Sequence, residues 1–134
     1  KRRYEESALE GVKAMLKKSC RGYLHSFYKE CFSPKEADGY VRLRKTLLKD
    51  YIEALPIEGL IAGLDWLCGR QIDTCALKDI TGLKLVHGTE DRISPVAEAR
   101  SMAADMPLAK FIAFEQSGHL PFLREDFTTR LYGY

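Results

Sequence analysis

Two short segments hold the side chains best suited to chemistry. His87-Gly88-Thr89-Glu90-Asp91-Arg92-Ile93-Ser94-Pro95 places a carboxylate just past the apolar run Leu83 to His87. Ser117-Gly118-His119-Leu120-Pro121-Phe122 places an imidazole just past a second run, Phe111 to Phe114. Each run is short and stopped by turn residues, which predicts a buried strand. Between them Ser94-Pro95 opens a helix in which Val96, Ala99, Met102 and Ala103 share a face, and Pro107 stops it. Strand, helix, strand at this spacing predicts parallel strands. Asp91 and His119 then emerge at the same sheet edge, the carboxyl edge, where open α/β sheets bind ligands. An Asp bonded to one imidazole nitrogen fixes the tautomer, and the other nitrogen can take a proton from a nucleophile.

The remaining polar residues nearby read as structural. Glu90 falls beside the acid and reads as solvated. His87 lies among apolar neighbours at a strand end. Ser33 and Ser94 each precede a proline and read as helix caps. Ser117 sits in a turn, without the sharp strand-to-helix elbow an activated serine needs.

Taken together, H-G-x-x-D-x-x-x-P and G-H-x-P-F, 28 residues apart from acid to base, resemble the C-terminal end of an α/β-hydrolase. The resemblance implies that Asp91 is the acid and His119 the base of a Ser-Asp-His triad. A looser likeness covers the rest of the chain. Arg42, then Glu53-Ala54-Leu55-Pro56, Gly63-Leu64-Asp65-Trp66-Leu67, Asp73 and Leu77 are similar to the helical cap of the pimeloyl-[acyl-carrier-protein] methyl ester esterases of biotin synthesis. By that likeness Arg21 and Arg42, with Lys45 and Lys49 beside Arg42, would grip substrate or carrier protein. Trp66 would serve as cap packing or as a wall of the acyl pocket. Two other arginine positions of that family hold His25 and Thr46 here. The implied partner is a small-molecule or acyl-carrier-protein-linked ester. No metal or cofactor is required, and neither nucleic acid nor membrane is expected as partner.

The family's nucleophile sits in G-x-S-x-G, and the 134 residues contain no such motif. The sequence, opening on Lys1, therefore reads as a fragment: residues 1–68 as helical cap, 69–134 as the C-terminal part of the catalytic domain, with the N-terminal strands and the serine supplied by a missing segment. Alone it is expected to be inactive and poorly folded, because two parallel strands make no stable sheet. The acid and base leave other activities of the same fold open, namely lipase-like, C–C hydrolase and dehalogenase chemistry. A non-catalytic carrier-binding module is the alternative from another class.

Composition and periodicity supply the frame. Hydrophobic residues make up 46% and charged residues 30%, which excludes a disordered chain. No apolar run approaches the roughly 20 residues of a membrane helix, and no signal-peptide pattern opens the chain. Residues 1–50 carry thirteen Lys and Arg against seven Asp and Glu, so they are basic, while the remainder is acidic. A basic half suits an anionic partner, whether nucleic acid, an anionic membrane surface or an acidic protein, or simply a set of solvated helix faces. It also reads as helices: Leu9, Val12 and Leu16 at helical spacing with Lys13, Lys17 and Lys18 turned away; Tyr23 to Cys31 as a second stripe; a capping box at Ser33-Pro34-Lys35-Glu36; one helix onward to Leu55, ended by Pro56; and another over 57–68. Pro121 to about Tyr132 reads as a closing helix with Phe122, Leu123, Phe127 and Leu131 inward. The four cysteines form no C-x-x-C pair and read as reduced, mostly buried thiols of a cytoplasmic protein.

Overall fold

The computed structural model describes residues 6–70 and 73–133. Lys1, at the opening of the expected cap, lies outside the described residues. Among the described residues seven helices and two strands follow one another: α1 Glu6–Glu30, α2 Ala37–Thr46, α3 Leu48–Ala54, α4 Ile57–Gly69, α5 Thr74–Leu77, β1 Lys84–Gly88, α6 Val96–Ala104, β2 Lys110–Phe114 and α7 Phe127–Tyr132. Short 3-10 turns cover Pro34–Glu36 and Pro121–Leu123. By their internal contacts the residues form two compact units. The first comprises 1–29 and 42–72, the second 30–41 and 73–134.

The first unit is helical. Leu9, Leu16 and Leu24 are buried at spacings of about two turns along α1, and Leu43, Leu48 and Ile52 are buried on α2 and α3. Lys13 is not turned away from this unit. Its ammonium pairs with Glu10 at 2.6 Å and also with Asp65 of α4, tying two helices together. α1 is kinked at Ser19, whose φ of −159° and ψ of 81° are extended rather than helical. The helix expected to run unbroken to Leu55 is interrupted at Leu47, with φ −119° and ψ −32°. Just before the break, the Thr46 hydroxyl donates to the Arg42 carbonyl at 2.9 Å. Such a bond one turn back bends a helix. Pro56 then caps α4, as a residue lacking an N–H can do without loss.

The second unit carries the sheet. β1 and β2 pair in parallel with Lys84 opposite Lys110, Val86 opposite Ile112 and Gly88 opposite Phe114. Their carboxyl ends are therefore level, and the loops that follow leave from one edge. Beneath that edge Phe114 is fully buried, stacked on Phe127 of α7 at 5.5 Å between ring centroids, with the Arg130 guanidinium 4.5 Å from the Phe114 centroid. Ile112, Met106, Phe32 and Cys31 complete this core.

Three expectations need correction here. The closing helix does not start at Pro121: a 3-10 turn ends at Leu123, Arg124 is extended, and α7 begins only at Phe127. Phe122 is consequently 58% exposed and Leu123 is exposed too, so neither points inward. Of the cysteines, all free, Cys31 alone is buried; Cys20 and Cys68 are half-buried and Cys75 is exposed. Among the described residues no helix is long and apolar enough to cross a membrane.

Candidate active site

The site is built where β1 and β2 end. Beyond Gly88 the chain turns tightly: Thr89 N–H donates to the Phe114 carbonyl at 3.0 Å, and Glu90 N–H to the Ser117 carbonyl at 2.9 Å. This places Asp91 beside the strand ends with its side chain only 2% exposed. Asp91 Oδ1 accepts the backbone N–H groups of Ile93 at 2.8 Å and Ser94 at 2.9 Å, the turn closure for which short carboxylates are suited. Ser94 is therefore not a helix cap. Its N–H is bound by Asp91, its carbonyl accepts from His87 at 2.7 Å, and Pro95 takes the cap position of α6.

With Oδ1 held by backbone, Oδ2 faces two imidazoles. His119 Nδ1–H donates to it at 2.8 Å, and His87 Nε2 stands 3.2 Å away. A carboxylate only accepts, so Nδ1 of His119 carries a proton, and in the neutral ring Nε2 carries the lone pair. Nε2 is the ring nitrogen that Asp91 does not engage. His119 lines an open cleft of about 270 Å³ together with Val86, His87, Gly88, Asp91, Pro121, Phe122 and Phe127. A proton acceptor at one end of a mostly apolar cleft, oriented by a buried carboxylate, is equipped for general-base work.

The turn that carries His119 is held from several sides. Gln116 adopts φ 60°, the left-handed region that non-glycine residues seldom occupy, and its N–H donates to Thr89 Oγ1 at 3.0 Å. Ser117 is fully buried and its hydroxyl donates to Glu36 at 2.6 Å, which removes it from any reaction at the cleft. Gly118 N–H donates to the same carboxylate at 2.7 Å. The His119 N–H donates to the Cys31 carbonyl at 2.7 Å. Gly88 and Gly118 are required by close approach. A Cβ on Gly88 would meet the carbonyls of Ser117 and Gly118, and one on Gly118 would stand 2.9 Å from Ser33 N and nearer still to the Cys31 carbonyl oxygen.

Of the residues singled out from sequence, the structure joins Asp91 to His119. Arg21 on α1, Arg42 and Lys45 on α2, Lys49 on α3 and Trp66 on α4 all belong to the first unit and are exposed. Trp66 is 60% exposed, with the Arg70 guanidinium 5.7 Å from its ring centroid. Two residues carry more than their sequence reading. His87, read as a strand-end residue, contacts the acid. Glu36, read as a capping residue, does accept from Ser33 N–H at 3.0 Å, yet it also holds the His119 turn. The spacing H-G-x-x-D carries a signal for the first; nothing local marks the second. Among the described residues no three His, Cys, Asp or Glu side chains converge as a metal site.

Known proteins resemble this chain in fold and, over part of its length, in sequence. An esterase from Exiguobacterium antarcticum superposes with a TM-score of 0.79 over 96% of this chain, at 23% identity. The fold is that of an α/β-hydrolase. The chain spans about half of that esterase, 47% of its length. In sequence, an α/β-hydrolase resemblance reaches a pimeloyl-[acyl-carrier protein] methyl ester esterase from Aromatoleum aromaticum, 35% identical over 65 residues, which are 48% of this chain and 23% of that protein. Uncharacterized proteins of Mycobacterium bovis and Mycobacterium tuberculosis are 36% identical over 66 residues, 47% of this chain and 19% of theirs. No family model matches.

Proposed function

We propose that this chain supplies the acid and the base of a serine carboxylic ester hydrolase. The observation that carries the reading is the 2.8 Å bond from His119 Nδ1 to the buried Asp91, at the carboxyl edge of two parallel strands, with Nε2 left to the cleft. The nucleophile is a serine from a segment outside these 134 residues. Its Oγ attacks the ester carbonyl carbon while His119 Nε2 takes the hydroxyl proton, and the same proton then leaves with the alcohol. Water next attacks the acyl-serine, gives a proton to His119, and the carboxylic acid departs as the serine regains its proton. Asp91 holds the imidazole in the required tautomer throughout and stabilises its positive charge in both transition states.

The finer reading is a short acyl methyl ester carried on an acyl-carrier protein. It is supported by the similarity to the Aromatoleum aromaticum pimeloyl-[acyl-carrier protein] methyl ester esterase and by the exposed basic residues Arg21, Arg42, Lys45 and Lys49 in a half of the chain with excess positive charge. An acidic carrier would be steered to such a surface. The free cysteines suit a reducing cytoplasm.

The test is hydrolysis of a p-nitrophenyl ester by the polypeptide that joins this chain to a G-x-S-x-G segment of the same fold. His119→Ala is expected to lower kcat by about 10⁶-fold and Asp91→Asn by about 10⁴-fold. Turnover that survives His119→Ala within tenfold would remove the reading.

A further inference from the structure

Glu36 lies far from both catalytic candidates in sequence and stands against the turn that bears one of them. Its carboxylate is 13% exposed and accepts three hydrogen bonds: Oε1 from the Ser117 hydroxyl at 2.6 Å, Oε2 from Gly118 N–H at 2.7 Å and from Ser33 N–H at 3.0 Å. The Arg124 guanidinium approaches Oε1 at 4.0 Å. Two further bonds run from the same segment to the same turn, His119 N–H to the Cys31 carbonyl at 2.7 Å and the Ser33 hydroxyl to the Gln116 carbonyl at 2.5 Å. Every residue from Gln116 to His119 is thus fastened to the stretch Cys31–Glu36, and Glu36 supplies the only charged acceptor among these bonds. Hydrogen bonds to an ionised acceptor are about twice as strong as neutral ones.

We propose that Glu36 is a positioning residue for His119: its carboxylate fixes the backbone of the Ser117-Gly118-His119 turn, and through it the direction from which Nδ1 meets Asp91. The proposal rests on the reading of His119 as the base. The turn needs such a clamp because Gln116 enters it with left-handed backbone, a conformation costing of order 1–3 kcal/mol that persists only when its surroundings over-determine it. Gly118 admits the clamp, since any Cβ there would strike the Cys31–Ser33 backbone. Asp91 Oδ1 is held by its own turn and Asp91 makes no bond to Glu36; its loop meets the clamped turn through Glu90 N–H, which donates to the Ser117 carbonyl. The effect of removing the clamp therefore falls first on the imidazole and reaches the carboxylate only through that loop.

The experiment is nitrogen-15 and proton NMR of the imidazoles in the longer polypeptide that joins this chain to a G-x-S-x-G segment, comparing the parent with Glu36→Ala and Glu36→Gln. In the parent a downfield Nδ1–H proton marks His119 bonded to Asp91. Glu36→Ala is expected to abolish that signal and mix the tautomers, while amide protection along β1 and β2 is retained. Glu36→Gln is expected to restore it in part, because a carboxamide still offers one acceptor to Gly118 and an N–H to the Ser117 oxygen. A folded Glu36→Ala chain with an unchanged Nδ1–H signal overturns the proposal. Should Glu36→Ala not fold, Glu36→Asp decides: one methylene shorter, it cannot hold both donors, and the signal must shift; an unchanged signal overturns the proposal equally. Loss of the signal without ester turnover in the longer polypeptide would keep the clamp and remove the esterase reading. Turnover with an unmoved signal would do the reverse.

Discussion

Replacing Gly88 by alanine tests the close packing on which the site depends. A Cβ at Gly88 would stand 2.7 Å from the Ser117 carbonyl carbon and closer to the carbonyl oxygens of Ser117 and Gly118. Ordinary contacts begin near 3.5 Å, and the two oxygens lie nearer than the carbonyl carbon, so one of the two loops must retreat by more than about 1 Å. The neighbours are backbone, not the flexible end of a side chain, and cannot swing away. Overpacking of this kind costs about 1–3 kcal/mol. The same retreat stretches the 2.9 Å bond from Glu90 N–H to the Ser117 carbonyl, for about 1 kcal/mol more. The sum, about 2–4 kcal/mol, corresponds to a fall in Tm of about 8–16 °C for a chain of this length. The assay is thermal unfolding followed by far-ultraviolet circular dichroism. Gly11→Ala serves as the internal control. Gly11 lies within α1 with nothing within 4 Å of an added Cβ, so the change should stabilise by about 1 kcal/mol through helix propensity. If Gly88→Ala melts within about 1 °C of the parent while Gly11→Ala behaves as stated, the close-approach argument is refuted.

Two other outcomes follow from charge and burial. Burial pushes the Cys31 thiol up to about 12, with the negative charges of Asp91 and Glu30 adding to the effect. At mildly alkaline pH iodoacetamide should therefore modify exposed Cys75 at once and spare Cys31 until the chain unfolds, as mass spectrometry of digests would report. The neutral buried thiol contributes stability that is complete below the ordinary cysteine pKa and declines as pH rises from there toward about 12. Arg124, bonded to Asp126 at 2.8 Å and 3.1 Å, holds the Asp126 carboxyl below its usual range. That contribution is present above the unfolded carboxylate pKa and disappears as pH falls through the depressed one. Asp126→Asn should thus lower Tm slightly at neutral pH, less at high salt because the pair is only half-buried, and not at all in strong acid; an unchanged deficit in acid would refute the assignment.

The strands and the helix between them are legible in the sequence because their signals are local. Apolar runs of four or five residues give way to Gly88 in one case and to Glu115-Gln116-Ser117-Gly118 in the other, and Pro95 and Pro107 bracket α6 within a residue or three of its observed ends. The meeting of Asp91 with His119 is legible for the same reason, since parallel pairing brings two strand ends level. The break at Leu47 is not, because apolar periodicity continues straight through it and the bend comes from a hydroxyl, that of Thr46, turned back on its own helix. Nor does the sequence reveal where Phe122 points. Pro121 suits the first turn of an α-helix and a 3-10 turn equally, and Arg124 ends the turn at once. Glu36 shows the deepest limit. Ser-Pro-Lys-Glu satisfies a local capping pattern completely, so its spacing holds no trace of the partners 81 and 82 residues away.

That distance bears on the order in which the molecule assembles. Closing a loop of 82 residues costs about 4 kcal/mol of chain entropy beyond the fixed term. The strand pairing and the Asp91 turn are far more local and can form before it. On this account the imidazole acquires its bearing late, when the stretch around Glu36 returns to a sheet that already exists. The second unit is also not a continuous length of chain. A polypeptide cut to residues 73–134 would keep both strands, the acid and the base, and lose the carboxylate, the carbonyl and the hydroxyl that aim the base. Any division of this protein into exchangeable parts, by evolution or in the laboratory, must carry the twelve residues from 30 to 41 along with the sheet.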